Sequence, residues 1–231
     1  MHSRLFLAFA LAATTAFSVE ERALFTGTDL SGWKMPHGTW EIVGGVALVA
    51  DNPKAFVTTA GSGVFLNSPA GKTRDLFTET EHGDCELHLE FAVPKGSNSG
   101  VYLMGRYEVQ IMDSFGQATV RFGDCGGIYE RQEKGVGFLG KPPAVNASKA
   151  PGEWQAFDIT FRAPRFDAEG KKTENARFVK VVHNGQVIHE NVEVDGPTRS
   201  AAFKDEKPLG PLKLQGDHGP VAFRNLRLKA L

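Results

Sequence analysis

The residues with the clearest chemical potential lie in one segment, from Asn98 to Asp113. Within it, Tyr107-Glu108-Val109-Gln110-Ile111-Met112 alternates apolar and polar residues, as a strand with one buried face does. The pattern turns Glu108 and Gln110 to the same outer face, about 7 Å apart. A carboxylate and an amide so placed accept and donate hydrogen bonds to the hydroxyls of a sugar. Glu108 is also the candidate general base, provided that burial raises its pKa towards the working pH.

Other residues of this segment are candidates for binding the substrate. Parity predicts that Tyr102 and Met104 face outward, and a tyrosine ring there would stack on the C–H surface of a sugar. Arg106 would pair with the carboxylate or bind substrate oxygens. Asn98 and Asp113 lie at the ends as turn formers, and Asp113 reaches the groove only if a bulge turns its side chain.

Two further stretches supply titratable side chains. Along Cys85–Phe91, strict alternation turns Glu86, His88 and Glu90 away from the core, so they are second candidates; an ordinary solvated face is the alternative. Near the C-terminus, Gln215 ends a strand and is followed by His218, a candidate general acid or base, because histidine titrates near pH 6.5. A loop histidine anchored by backbone groups explains it equally well.

These side chains need a β-framework. The 26 glycines and 12 prolines punctuate short alternating runs, and no window has a sustained 3.6-residue apolar period. Asn184-Gly185 predicts a hairpin, and Gly44-Gly45 predicts a second. The expected fold is all-β, with two packed antiparallel sheets in a sandwich or jelly roll. The curved outer face of one sheet would then form the groove.

The N-terminus has the pattern of a secretory signal peptide over residues 1–18, with Arg4 before an apolar run and small residues at Ala16 and Ser18. We therefore expect a single mature domain over 19–231, secreted or periplasmic, with no membrane association after cleavage. A buried N-terminal helix is the alternative.

Charge and motifs exclude several kinds of partner. The formal net charge is −1 and no basic stripe is visible, so no nucleic-acid partner is predicted. No metal-ligand spacing, phosphate loop or nucleophile elbow occurs, so no cofactor is predicted, with a divalent cation left open. Cys85 and Cys125 are either a disulfide or two separate buried thiols. The oligomeric state is open.

Several motifs, in this order, resemble the 3-keto-disaccharide hydrolase domain family. They cover nearly the whole mature chain: Phe25–Trp33, Asn98–Leu103, Arg106–Ser114, Gly127–Tyr129, Pro151–Gln155, Asn184-Gly185, Leu214–Gly219 and Phe223–Asn225. The resemblance implies a concanavalin A-like jelly roll of two curved antiparallel sheets, an exported bacterial protein, and cleavage of glycosides oxidised at sugar C3. The charged stretch Tyr129–Leu139 departs from the family's proline-rich loop and leaves the substrate's identity open.

The implied reaction has a simple logic. A C3 ketone acidifies the C2 proton, so Glu108 would abstract it while the C1 aglycone leaves and water then adds. Arg106, Gln110 or His218 would stabilise the developing oxygen charges. Two other functions fit the same fold: a non-catalytic, lectin-like module, and a conventional glycosidase with two carboxyls about 5–5.5 or 6.5–9.5 Å apart.

Overall fold

The computed structural model describes residues 21–231, so the predicted signal peptide lies outside the described residues. The described chain is built from strands and turns and contains no helix, hence none long and apolar enough to cross a membrane. Its strands, in chain order, are β1 (Arg22–Ala23), β2 (Glu41–Val49), β3 (Asn52–Leu66), β4 (Leu76–His82), β5 (Cys85–Ala92), β6 (Asn98–Leu103), β7 (Tyr107–Met112), β8 (Arg131–Glu133), β9 (Val136–Phe138), β10 (Gln155–Arg162), β11 (Arg165–Phe166), β12 (Lys172–Glu174), β13 (Ala176–His183), β14 (Gln186–Val194), β15 (Gly210–Leu214) and β16 (Ala222–Ala230).

Two antiparallel sheets form the sandwich. The large sheet has the order β14-β13-β10-β5-β16-β3-β2, with β1 added against β16. The small sheet has the order β4-β15-β6-β7, and two short hairpins, β8-β9 and β11-β12, complete the described chain. The all-β jelly-roll prediction is confirmed.

The core lies between the two sheets. Leu89 and Phe91 of the large sheet and Val101 and Val109 of the small sheet are fully buried in one apolar cluster. Each such side chain contributes about 1.5–3 kcal/mol through removal of its apolar surface from water. Because side chains alternate along a strand, the residues between these positions must point to the outside of the sandwich.

One predicted hairpin is present and the other is not. Asn184 and Gly185 have φ of 50° and 80° between β13 and β14, as a type I′ turn requires. The Gly44-Gly45 prediction is wrong: β2 runs through both glycines, with a register irregularity between Val43 and Gly45. Gly44 serves close packing, because a Cβ on it would lie 2.6 Å from the carbonyl oxygen of Ala60.

The two cysteines are separate thiols. Cys85 lies in β5 and Cys125 in the loop after β7, and both are free and buried. Burial raises the pKa of each thiol to about 12, because a thiolate loses its hydration in an apolar surrounding. Of the two alternatives that the sequence left open, the structure has two buried thiols.

Candidate active site

Three neighbouring strands of the small sheet carry a row of polar side chains on its outer face. In the register, Lys213 of β15 lies opposite Tyr102 of β6, and Tyr102 lies opposite Glu108 of β7. Cβ atoms of directly opposed residues are about 4.5–5.5 Å apart, so the three side chains are neighbours. Their chain neighbours, such as Val101 and Val109, fill the core. We call these three residues the Lys213–Tyr102–Glu108 row.

The row faces away from the core and is nevertheless buried. Glu108 is 2% exposed, Tyr102 0% and Lys213 3%. Lys213 is held by three contacts: its Nζ lies 2.8 Å from Asp75 Oδ2, donates to the Ser200 carbonyl at 3.1 Å, and sits 4.0 Å from the centre of the Tyr102 ring. Over these three residues the outer face of the small sheet is therefore a covered polar layer rather than an open groove.

Two loop segments cover this face. The segment Gly126–Tyr129 bonds to the free edge of β7, with the Gly126 amide donating to the Gln110 carbonyl at 2.8 Å and the Tyr129 amide to the Glu108 carbonyl at 3.2 Å. At the same edge, the Glu108 amide donates to Thr198 Oγ1 at 3.2 Å. These bonds extend the sheet and fix the walls around Glu108.

Gly100 makes room for the carboxylate. It lies opposite Gln110 in the register, and a Cβ placed on it would overlap Glu108 Oε1 and lie 3.1 Å from Tyr102 Cε2. The Glu108 side chain can thus lie across β6 only because position 100 has no side chain.

The electrostatics of Glu108 follow from this burial. Loss of hydration raises the pKa of Glu108 to about 8, and the negative charge of Asp75 acts in the same direction. A hydrogen bond from the Tyr102 hydroxyl and the positive charge of Lys213 oppose the rise. A carboxylate with such a pKa is a stronger base than an exposed one, and it changes its protonation state near neutral pH.

Tyr102 is the hydrogen-bond partner that stays protonated. Burial raises the pKa of its phenol far above the ordinary value, and the adjacent Glu108 charge raises it further. The hydroxyl therefore donates to the carboxylate and does not compete with it as a base.

A small polar pocket opens at the end of the row. It has a volume of about 100 Å³, below the roughly 300–1,000 Å³ of typical ligand clefts, so it can admit one part of a ligand. Its lining residues are Asn98, Tyr102, Glu108, Gln110, Tyr129, Arg199, Ser200, Gln215 and His218.

Two of the lining side chains have a defined orientation. The Oε1 atom of Gln110 accepts the Ile111 amide at 3.0 Å, which leaves its Nε2 as a donor. His218 is about half exposed, and its Nδ1 hydrogen-bonds the Asp217 carboxylate and lies 3.1 Å from Gln215 Nε2. With Nδ1 engaged, Nε2 is the imidazole nitrogen available to a ligand.

Six of the ten sequence candidates meet in this pocket: Glu108, His218, Tyr102, Gln110, Asn98 and Gln215. Tyr102 lines the pocket, but its predicted role as a platform for stacking on a sugar is wrong. Its ring is fully buried and Lys213 lies over one face. Met104, predicted to be exposed, lies in the core.

The placement of Arg106 in the groove is wrong. Its Nε donates to the Asp205 carbonyl at 2.5 Å, its Nη1 to the Met104 carbonyl at 2.9 Å, and its guanidinium lies 4.8 Å from the Phe203 ring. Gly105 and Met104 have φ of 65° and 55°, so a tight turn interrupts the alternation between β6 and β7. The side chain therefore lines a different pocket.

His88, Glu90 and Asp113 also lie elsewhere. The first two are on the outer face of the large sheet, across the sandwich, where His88 bonds Asp158 at 2.6 Å and Glu90 bonds Arg224 at 2.6 Å. Asp113 accepts the Gly96 amide at 2.9 Å and the Phe115 amide at 3.4 Å, which is the role of a turn former.

The sequence reasoning missed Tyr129, Arg199, Ser200 and Lys213. Lys213 could have been predicted, because in Leu212-Lys213-Leu214-Gln215 it is two residues from Gln215 and so faces the same side of the strand. Tyr129 belongs to a motif of the family resemblance. Arg199 and Ser200 lie in an irregular segment with no periodicity. In residues 21–231, no group of three or more His, Cys, Asp or Glu side chains is placed to hold a metal ion.

Comparison with known proteins identifies the family. Residues 20–229 match the 3-keto-alpha-glucoside-1,2-lyase-like domain. A candidate glycosyl hydrolase from Parabacteroides distasonis is 28% identical, aligns over 91% of this chain and 84% of its own, and has a TM-score of 0.67. A second from the same organism is 20% identical over 92% and 100% of the two chains, with a TM-score of 0.55. At that identity the second supports the fold alone.

No curated protein matches the chain. The family match and the 28% identical structure make this a carbohydrate-active protein, glycosyl hydrolase-like or carbohydrate-binding. Its pocket, with a buried carboxylate and several hydrogen-bond donors, is chemically suited to a sugar. The chain belongs to the 3-keto-alpha-glucoside-1,2-lyase-like domain family.

Proposed function

We propose that the protein cleaves 3-keto-glycosides by abstracting the C2 proton, eliminating the aglycone and adding water. The observation that carries the proposal is Glu108, a buried carboxylate whose pKa is raised to about 8 at the end of a polar pocket. Such a group is suited to removing a weakly acidic carbon-bound proton near neutral pH.

The bonds change in a defined order. The C3 ketone acidifies the C2–H bond, and Glu108 takes that proton while the electron pair forms an enolate with its charge on the C3 oxygen. The enolate collapses to a C1–C2 double bond, the C1–O bond breaks, and the aglycone oxygen takes a proton. Water then adds its oxygen to C1, and C2 regains a proton, which yields the free 3-keto sugar.

The pocket supplies a residue for each role. Arg199 and the free Nε2 donor of Gln110 would stabilise the charge on the C3 oxygen. His218, with Nδ1 held by Asp217, would give a proton to the leaving oxygen. Tyr102 keeps the Glu108 carboxylate oriented.

The number of carboxylates favours elimination over conventional glycoside hydrolysis. A conventional mechanism needs two carboxyls about the scissile bond. Among the described residues that line the pocket, Glu108 is the single carboxylate. The nearby Asp75 and Asp217 are bonded to Lys213 and His218. We also propose that the reaction takes place outside the cytoplasm, on the ground of the signal-like N-terminus.

Cleavage in D2O tests this proposal. 4-Nitrophenyl 3-keto-α-glucoside and its unoxidised parent would be incubated with the protein, with release of nitrophenol followed by absorbance and the sugar by mass spectrometry. We expect cleavage of the ketone alone, with one deuterium at C2 of the product. A reaction without protein corrects for spontaneous exchange.

Other outcomes would identify a different function. Cleavage of the parent sugar without deuterium at C2 would indicate a conventional glycosidase. Binding of either sugar with no cleavage would indicate a lectin-like module. Both results contradict the elimination mechanism.

Substitution of Gly100 provides a second prediction. In Gly100→Ala the added Cβ occupies the space of Glu108 Oε1, so the carboxylate must move. Since a misplacement of about 1 Å can cost about 100-fold in rate, we expect kcat/KM on the 3-keto-glucoside to fall roughly 10–100-fold. The fold should tolerate the change, because φ at this position is not in the left-handed region.

Gly45→Ala is the matched control. Gly45 is also a strand glycine without positive φ, and its Cβ would meet only the Thr59 hydroxyl, at 3.2 Å, in the large sheet. Wild-type kcat/KM in Gly100→Ala would show that the observed carboxylate position is not needed for turnover.

A further inference from the structure

A second pocket adjoins the Glu108 pocket and shares two of its residues, Arg199 and Ser200. Its volume is about 220 Å³. Because the Glu108 pocket is too small for a whole glycoside, this neighbouring pocket is available to the part of the substrate beyond the reacting ring. We call this second one the basic pocket.

The basic pocket is lined by three cations, Arg131, Arg199 and Lys204, and by no carboxylate among the described residues. Arg131 pairs with Asp195 at 2.9 Å and Arg199 with Glu130 at 3.1 Å, and both acids lie outside the lining. Lys204 has no carboxylate within 4.0 Å in the described chain. The lining thus keeps positive charge that is only partly compensated.

Arg131 also retains an unused donor. Its Nε is buried and has no hydrogen-bond partner within the described chain. The pair with Asp195 therefore leaves the hydrogen-bonding capacity of the guanidinium unsaturated. The guanidinium is fixed by the Phe138 ring, 5.2 Å away, and by Gly196, where a Cβ would lie 2.6 Å from Nη2.

The basic pocket is rigidly linked to the base. Thr198, in its lining, donates its amide to the Arg106 carbonyl at 2.9 Å, and its Oγ1 accepts the Glu108 amide at 3.2 Å. The Arg199 amide donates to the Glu130 carbonyl at 2.7 Å. These bonds fix the backbone that carries Thr198 and Arg199 beside the Glu108 strand.

A third pocket, next to the Asp75 and Asp217 carboxylates, differs from the basic pocket in charge. It is lined by Lys34 and Arg74 and by Asp75 and Asp217, so its formal charges balance. An anion would gain nothing there from net charge, whereas the basic pocket attracts it and offers guanidinium forks that match a carboxylate, sulfate or phosphate.

We propose that the basic pocket binds an anionic group carried by the aglycone, so that the preferred substrates are 3-keto-glycosides with an acidic aglycone. This inference rests on the proposed function. Arg199, shared between the pockets, contacts both the ring and the aglycone and orients one against the other.

Two matched substrates test it. The 3-keto-α-glucosides of 4-hydroxybenzoic acid and 4-hydroxybenzamide have the same shape and differ in charge, and the amide is the more electron-withdrawing substituent, so leaving-group chemistry does not favour the acid. We expect kcat/KM to be at least about tenfold higher for the acid at low salt, with the preference shrinking as salt screens the charges.

Lys204→Glu should lower the acid-to-amide ratio at least about tenfold. Lys180→Glu, the same change on an exposed residue of β13 in the large sheet, should leave the ratio as in the wild type. An acid-to-amide ratio near one in the wild type, or an unchanged ratio in Lys204→Glu, would overturn the proposal.

Binding separates this inference from the proposed function. The unoxidised parent glucosides of the two aglycones would be titrated calorimetrically into the protein. If neither ketone is cleaved, the proposed reaction fails, while tighter binding of the acid, lost in Lys204→Glu, still supports the basic pocket. Equal affinity for acid and amide refutes it whatever the turnover.

Discussion

Glu108→Gln is expected to lower kcat/KM on 3-keto-glucosides by about 10²–10⁴-fold and to stabilise the folded protein. The loss of rate is the usual contribution of a positioned general base. The gain in stability has a separate cause, since the amide keeps the shape of the side chain and cannot ionise in its buried position.

The sign of the stability change follows from the pKa. In the folded protein the pKa of Glu108 is raised from 4.5 to about 8, so the folded state binds more protons than the unfolded state between those values. Stability of the wild type therefore falls as pH rises from about 4.5 to about 8, and the penalty is on the order of 3 kcal/mol at pH 7. Glu108→Gln removes this penalty.

Thermal unfolding between pH 5 and pH 8 provides the measurement. At about 2–4 °C per kcal/mol for a domain of this size, the Tm advantage of Glu108→Gln should grow from about 2–3 °C at pH 5 to roughly 6–12 °C at pH 7. A variant that is inactive and less stable at every pH would contradict the buried, protonatable carboxylate.

Glu90→Gln is the matched control. Although Glu90 is partly buried, hydrogen bonds from Asn225 and Arg224 hold the pKa of its carboxyl below the ordinary value. Its substitution removes favourable contacts, so stability should fall slightly, in the opposite direction to Glu108→Gln. Turnover should be unaffected, because Glu90 lies on the outer face of the other sheet.

The sequence predicted those parts of the site that follow from a two-residue period. Alternation along β7 identified Glu108 and Gln110 as outward-facing, and the structure has both in the pocket. The same reasoning predicted an exposed Tyr102, which is buried because Lys213 and the covering loops lie over it. A pattern indicates the face of a sheet that a residue occupies, but not what covers that face.

Parity also fails wherever the chain turns. Met104 and Gly105 have positive φ, so the alternation of side chains along β6 does not continue into β7. The prediction that Arg106 faces the groove is wrong for this reason. It assigned His88 and Glu90 correctly to an outer face, but the order of strands, which decides the sheet, is set by long-range pairing. Arg199 enters the site through backbone bonds of its segment to β7 and to Glu130, which no local pattern encodes.

The second large effect concerns the pH dependence of turnover. Lys213→Met should move the ascending limb of the kcat/KM profile upward by about one pH unit or more, and Asp75→Asn should move it downward. The Lys213 charge lowers the pKa of Glu108 and the Asp75 charge raises it, so the two substitutions act in opposite directions on the same base.

The two substitutions differ in their cost to the fold. Lys213→Met leaves Asp75 without its partner at 2.8 Å, but this carboxylate is partly exposed and water can solvate it, so a moderate loss of stability is expected. Asp75→Asn keeps an acceptor for the Gly216 amide, but it turns an NH2 group towards the almost fully buried Lys213 ammonium and removes its carboxylate partner, so this variant should cost more. Turnover is therefore measured at a temperature where both variants are folded, as checked by circular dichroism.

The double variant separates electrostatics from displacement. If the limb reports Glu108 ionisation in the field of its neighbours, then Lys213→Met with Asp75→Asn removes one charge of each sign, and the limb should return towards the wild-type position. Limb shifts in the same direction for both single variants would mean that they act by moving the carboxylate. If the limb stays at the wild-type pH in both single variants, a group other than Glu108 is the base. Tyr129 and His218, which also line the pocket, would then be substituted next.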